Sequence, residues 1–158
     1  MRISRAVVPL ALLMIVAGPS AAASQSAVAS SAQAARKTGA TILVHVTHGP
    51  EHPTRAALAF LVASTAIAEG DVVTLFLAGD ATQLIRDGVL DNLSGLGTGR
   101  LRDLFDAIVK GGGRFYLSGM SSNARGVTDA DLKGKPAEFA TPALLVRLAK
   151  EHDRMFTY

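Results

Sequence analysis

The sequence predicts an α/β fold of three layers (α/β/α), in which helices cover both faces of a mainly parallel, doubly wound sheet. Three short apolar runs, at residues 41–47, 71–77 and 114–117, resemble strands that are buried on both faces. Helical patterns separate these runs, and the turns between them are short. This alternation of strand and helix is typical of parallel strands joined by right-handed crossovers.

The first 23 residues have the pattern of a secretory signal peptide. Arg2 and Arg5 precede an apolar stretch of about a dozen residues, and a run of small residues ends at Ala23. The apolar stretch is shorter than the roughly 20 residues that span a bilayer, although an uncleaved anchor is the alternative. We therefore expect a periplasmic or secreted protein with no membrane association after cleavage.

Charge and composition limit the possible functions of the remaining chain. The formal charge of +3 falls to +1 when the two arginines of the signal peptide are removed, so the sequence does not predict a nucleic-acid partner. The chain contains no cysteine, which excludes thiol catalysis, persulfide carriage and cysteine metal sites. Residues 24–40 are rich in serine and alanine and are expected to form a flexible leader, with a short helix as the alternative.

The first half of the domain at residues 41–158 shows two strands and one long helix. The strand at 41–47 is followed by a loop, and Pro53 suits the first turn of a helix that Gly70 ends. The second strand, 71–77, leads to a loop at Gly79-Asp80 and a helical turn at 81–86. Residues 88–99 are rich in glycine, and we expect them to be irregular.

The second half begins with a helix at 101–109, whose apolar residues recur at intervals of three and four. Three glycines end it before the strand at 114–117. Thr128 is a predicted helix cap, and Thr141-Pro142 starts a further helix before a last strand at 153–158. In that further helix, four residues are expected to face inward: Leu144, Leu145, Leu148 and Ala149. The stretches 125–132 and 139–142 are expected to be loops that cover the sheet edge.

Three strand ends are the expected location of a binding site, because ligands of parallel sheets bind at the carboxyl ends of the strands. These ends are residues 48–51, 78–80 and 118–121. They supply the predicted ligand-binding residues, which are Ser118, Gly119, Ser121, Arg125, His48, Gly49 and Glu51.

Several stretches together resemble the DsrE/DsrF-like family of small α/β proteins related to sulfur relay. They are GPE at 49–51 before PTRA at 53–56, FLAGDAT at 76–82 and GGGRFYLSGMSSNARGV at 111–127. The resemblance covers residues 40–158 and implies a three-layer domain that assembles into homo-oligomers. It also implies that sulfur-relay members carry a persulfide on a cysteine at the end of the third strand. Ser118 occupies the matching position, and a hydroxyl cannot hold sulfane sulfur, so we expect the relay chemistry to be lost.

The polar residues at these strand ends allow several interpretations. Arg125 could bind an anion with nearby backbone N–H groups, or it could fix the loop by bonding to carbonyls or to Asp129. Ser118 could cap the strand end. His48 and His52 are candidate metal ligands, or else solvated loop histidines, since their spacing does not force them together.

The function expected from these features is binding. We expect a homo-oligomer that binds a small ligand, an anion or a protein partner without catalysis and without a cofactor. The alternative is a metal- or His/Ser-dependent enzyme related to sulfur metabolism, with Ser118 or Ser121 as nucleophile and a histidine as base. The sequence around Ser118 lacks the G-x-S-x-G pattern of a nucleophile elbow.

We predict that export removes residues 1–23. Mass spectrometry of the N-terminal peptide, from protein recovered outside the cytoplasm, should find Ser24 as the first residue, because the small residues before it fit a signal peptidase site. A peptide that begins at Met1 in the membrane fraction would indicate a retained anchor instead.

Overall fold

A five-stranded parallel sheet organises residues 39–158, which are the residues that the computed structural model describes. The predicted signal peptide and nearly all of the predicted leader lie outside them. The described residues form seven strands: β1 (Thr41–Val46), β2 (Val72–Leu77), β3 (Ser94–Gly95), β4 (Gly99–Arg100), β5 (Arg114–Ser118), β6 (Ala137–Ala140) and β7 (Arg154–Thr157). The large sheet has the order β6-β5-β2-β1-β7, and every neighbouring pair in it is parallel. β3 and β4 form a small antiparallel ladder.

Helices lie in the connections between the strands. They are α1 (Pro53–Ala68), a 3₁₀ helix (Gly79–Ile85), α2 (Asp87–Asn92), α3 (Leu101–Lys110), α4 (Gly119–Ala124), α5 (Asp129–Leu132) and α6 (Pro142–Glu151). Both proline signals are confirmed, because α1 begins at Pro53 and α6 begins at Pro142. Within residues 39–158, no helix combines the length and apolar character needed to cross a membrane.

The two faces of the sheet have separate cores. Along β1, Ile42, Val44 and Val46 pack into the larger core with residues of α1 and α3, whereas Leu43 packs on the other face. There it joins Phe76 and Leu148 of α6. The chain advances through β1, β2, β5 and β6 in one direction, and α6 then returns it to β7 beside β1. Right-handed crossovers place helices on opposite faces when the direction reverses, so the three-layer α/β/α fold is confirmed.

Three phenylalanine rings hold the larger core together. The ring of Phe115 lies 4.9 Å from that of Phe105 in α3 and 5.9 Å from that of Phe60 in α1. All three are almost completely buried. This cluster fixes both helices against β5, the strand that leads to the predicted site.

The region at 88–99 is more regular than predicted. Residues 87–92 form α2, and residues 94–100 form the β3–β4 hairpin. Arg102 of α3 bonds to the carboxylates of Asp87 and Asp91, each at 2.7 Å, and Leu90 of α2 is completely buried in the larger core. The prediction of an irregular segment was wrong because Arg102, which stabilises this segment, lies in α3 and outside the local sequence pattern.

Two predictions near the second half of the sheet also need correction. Residues 137–140 form the edge strand β6, with Phe139 opposite Leu117 of β5, although 139–142 were expected to be a loop. Ala149 is exposed and does not face inward, because α6 buries Leu148 and only partly buries the leucines before it. The Thr128 cap is confirmed, since Thr128 is the N-cap of α5 and forms a capping box with Asp131, whose carboxylate accepts a hydrogen bond from the Thr128 N–H at 2.9 Å.

We predict that Phe115→Ala lowers the free energy of unfolding by about 3–5 kcal/mol, because it empties the centre of the aromatic cluster. Phe156→Ala on β7 is the matched control, since that ring is 41% exposed. The control should cost less than about 1 kcal/mol in a urea titration. Equal losses for both variants would contradict the described core.

Candidate functional site

The candidate site lies where β1, β2 and β5 end side by side. Because these strands are parallel neighbours, the chain leaves all three at the same edge of the sheet. β1 leads into the loop of residues 47–52, β2 into the 3₁₀ helix, and β5 directly into α4. We call these three segments the rim.

Ser118 is the last residue of β5 and the N-cap of α4. Its side chain is buried, and its Oγ accepts a hydrogen bond from the N–H of Ser121 at 3.4 Å. An N-cap hydroxyl satisfies one of the backbone donors that a helix leaves unpaired at its start. The geometry therefore supports the interpretation in which Ser118 caps the strand end. It also shows that residues 119–124 are helical, which the sequence analysis missed.

The guanidinium of Arg125 is paired within the protein. Its Nε donates to Oδ1 of Asp80 at 2.7 Å, and its Nη1 donates to the carbonyl oxygen of Ser121 at 3.2 Å. Its own carbonyl accepts a hydrogen bond from Arg86 at 2.8 Å. Of the two roles considered for Arg125, this arrangement favours loop fixation, with Asp80 rather than Asp129 as the carboxylate partner.

Glycines allow the three rim segments to approach closely. The N–H of Gly79 donates to Oγ of Ser121 at 3.0 Å, which connects the end of β2 to α4. A Cβ on Gly49 would lie 2.3 Å from the carbonyl oxygen of Asp80, so a side chain there would push the first two segments apart. Glu51 accepts a hydrogen bond from the Gly49 N–H at 2.7 Å and so shapes the same loop.

The loop histidines lie together at the first strand end. The rings of His48 and His52 are 5.1 Å apart, and Nη1 of Arg55 is 3.1 Å from Nε2 of His48. Within residues 39–158, no group of three or more His, Asp or Glu side chains is placed to hold a metal ion. The positive charge of Arg55 beside His48 also opposes cation binding, so metal binding there stays a prediction.

His45 lies deeper, within β1, and its ring packs edge-on against Phe76 at 6.1 Å. Burial lowers the pKa of this imidazole, because the surrounding side chains disfavour its charged form. The ring of His45 therefore contributes to packing on this face of the sheet.

Neither of the two serines considered as nucleophiles is paired with a histidine base at the rim. Among the hydrogen bonds within 39–158, neither the Ser118 nor the Ser121 hydroxyl contacts an imidazole. Both hydroxyls instead accept bonds from backbone N–H groups. The serine–histidine arrangement of the alternative function is therefore not assembled in this conformation.

Two larger cavities lie beside the rim, in addition to a smaller one of about 170 Å³ that His52 and Arg55 help to line. One of about 440 Å³ is lined by Pro50 and Pro53 together with residues of α2 and β3. The other, of about 360 Å³, lies beside α4 and is lined by Gly119, Ser122, Asn123, Val127, Thr128, Asp129 and Phe139. Of these seven residues only Gly119 was a predicted site residue. Of the others, Ser122 and Asn123 belong to α4 and Phe139 to β6, two elements that the sequence analysis did not identify.

Comparison with known proteins gives the same fold. A family model described as the DsrE/DsrF-like family matches residues 40–158. The crystal structure of the ychN protein from E. coli is 15% identical, with a TM-score of 0.62, over 75% of this chain and 99% of that one. A conserved protein of unknown function, BT1422 from Bacteroides thetaiotaomicron, is 10% identical, with a TM-score of 0.57, over 78% of this chain and 99% of the other. No curated protein sequence matches the chain.

We predict that the Asp80–Arg125 pair contributes about 0.2–1 kcal/mol to stability, because both side chains are partly exposed. A double-mutant cycle with Asp80→Asn and Arg125→Gln, measured by urea unfolding, gives the coupling energy. The matched control is Arg147–Glu151, a more exposed pair at 3.9 Å, for which the coupling should be near zero. Zero coupling for the Asp80 pair as well would contradict the rim network.

Proposed function

The chain belongs to the DsrE/DsrF-like family, and from this premise we propose that it is an exported binding domain that does not relay sulfur. It binds a small ligand, an anion or a protein partner at the rim, as a homo-oligomer. The observation that carries this proposal is the state of Ser118, which is buried and caps α4 at the position where the resemblance implies a sulfur-carrying cysteine.

The chemistry of the rim supports binding over catalysis. Catalysis by Ser118 would need a base within hydrogen-bond reach, and its Oγ is instead the acceptor for a backbone N–H. Arg125 and Asp80 neutralise each other and hold two strand ends in place. A rigid, polar edge with adjacent cavities is suited to recognising a ligand.

The proposal of export follows from the N-terminal segment, and the proposal of self-assembly follows from the family. Exposed apolar side chains on the domain, such as Met120 at 70% and Val146 at 54%, are compatible with contacts between copies. Sedimentation velocity of the purified protein measures the assembly, and a monomer at all concentrations would oppose it.

We predict that a fluorophosphonate probe, which labels nucleophilic serines, leaves Ser118 unlabelled in peptide mass spectrometry. Ser118→Ala should lower the free energy of unfolding by about 1 kcal/mol through loss of the helix cap. The matched control is Thr141→Ala, because Thr141 caps α6 with the same 3.4 Å geometry and lies outside the rim.

Labelling of Ser118 that disappears in His48→Ala would contradict this account. It would favour the alternative of a His/Ser-dependent enzyme. Similar stability losses for the two cap variants, with no labelling, would support a structural role for Ser118.

A further inference from the structure

We propose that the cavity beside α4 binds a small uncharged organic molecule, with a short apolar part and a terminal amide or alcohol. This inference rests on the proposed binding function and deepens it by naming a ligand class and a place. The cavity, which we call the α4 cavity, is lined by α4, the following loop, the start of α5 and Phe139 of β6.

The buried hydroxyl of Ser122 indicates that the ligand carries a polar group. Ser122 is 1% exposed, and among residues 39–158 its Oγ has no hydrogen-bond partner. A buried polar group without a partner destabilises the folded protein, because it has lost its hydrogen bonds to water. A ligand in the cavity that offers a carbonyl or hydroxyl group would recover this cost, so the hydroxyl selects for such a group.

The rest of the lining favours an apolar body. Val127 is buried, Phe139 is half-buried, and Gly119 leaves room where a side chain would project. The volume of about 360 Å³ lies within the usual range for small-molecule sites, roughly 300–1,000 Å³. A chain of a few carbon atoms therefore fits between these groups and the hydroxyl.

The charge of the cavity argues against an anion. Among the residues that line it, the carboxylate of Asp129 carries the only charge, and no Arg, Lys or His takes part. The nearby guanidinium groups of Arg86 and Arg125 bond to carbonyl oxygens and carboxylates of the protein. An anion would meet Asp129 without a cation to compensate, whereas an amide or an alcohol meets no repulsion.

The test is a titration of ¹⁵N-labelled protein with three probes of equal chain length: butyramide, butyrate and butylammonium. Butyramide should shift the backbone amides of Ser122, Asn123 and Val127 with saturation, and butyrate should not. Ser122→Ala should raise the Kd of butyramide about 3- to 10-fold, which is the effect of one neutral hydrogen bond. Ser64→Ala, in α1 and outside both cavities, is the matched control and should leave the Kd unchanged.

A second variant keeps the test valid if Ser122→Ala does not fold. Asp129→Asn replaces an exposed carboxylate with a neutral amide of similar size. It should leave butyramide binding intact and allow butyrate to bind within about threefold of butyramide. Butyrate that still does not bind would overturn the argument from charge.

The remaining outcomes separate this inference from the proposed function. Butylammonium that binds more tightly than butyramide would overturn the choice of an uncharged ligand. Shifts confined to the rim at residues 48–51 or 79–80 would overturn the α4 cavity and leave a binding function in place. If inorganic phosphate and all three probes shift no amide, both the cavity and small-ligand binding fail.

Discussion

The structure depends on a constraint set by its parallel sheet. The neighbouring strands β1, β2 and β5 end at the same edge, so the three segments that follow them must pack against one another. Asp80 lies at the centre of this arrangement, because β2 is flanked by β1 and β5. Its carbonyl oxygen packs against Gly49 on one side, and its carboxylate bonds to Arg125 on the other. The polar groups of Ser118, Ser121 and Arg125 therefore form bonds that hold the rim together.

This constraint explains why the serine hydroxyls at this edge of the sheet have structural partners and are not arranged for catalysis. Ser118 and Ser121 offer their hydroxyls to backbone N–H groups, so α4 starts directly at the strand end. A group that caps a helix is held in one orientation and is shielded from solvent. Binding is then left to the cavities beside the rim, and one of them is lined by Ser122, whose hydroxyl has no hydrogen-bond partner within residues 39–158.

The sequence predicted the features that depend on local pattern. The buried strands were found from their apolar runs, and the starts of α1 and α6 from Pro53 and Pro142. Features stabilised by distant partners were missed. Three of the first four residues of α4 are a glycine and two serines, which are weak helix formers, and Arg125 at its end bonds to Asp80, 45 residues away. β6 has the unremarkable sequence AEFA and becomes a strand because β5 pairs with it. Since the cavity beside α4 needs both elements, local pattern alone could not reveal it.

Amide hydrogen exchange at Gly79 tests most directly whether the rim is one connected unit, because this N–H donates to the Ser121 hydroxyl and joins two strand ends. The account predicts a protected amide in the wild-type protein and a loss of protection of roughly tenfold or more in Ser121→Ala. The amide of Leu75 in the central strand should exchange at the same rate in both proteins. A Gly79 amide that exchanges as fast as an unfolded peptide in the wild type would contradict the account.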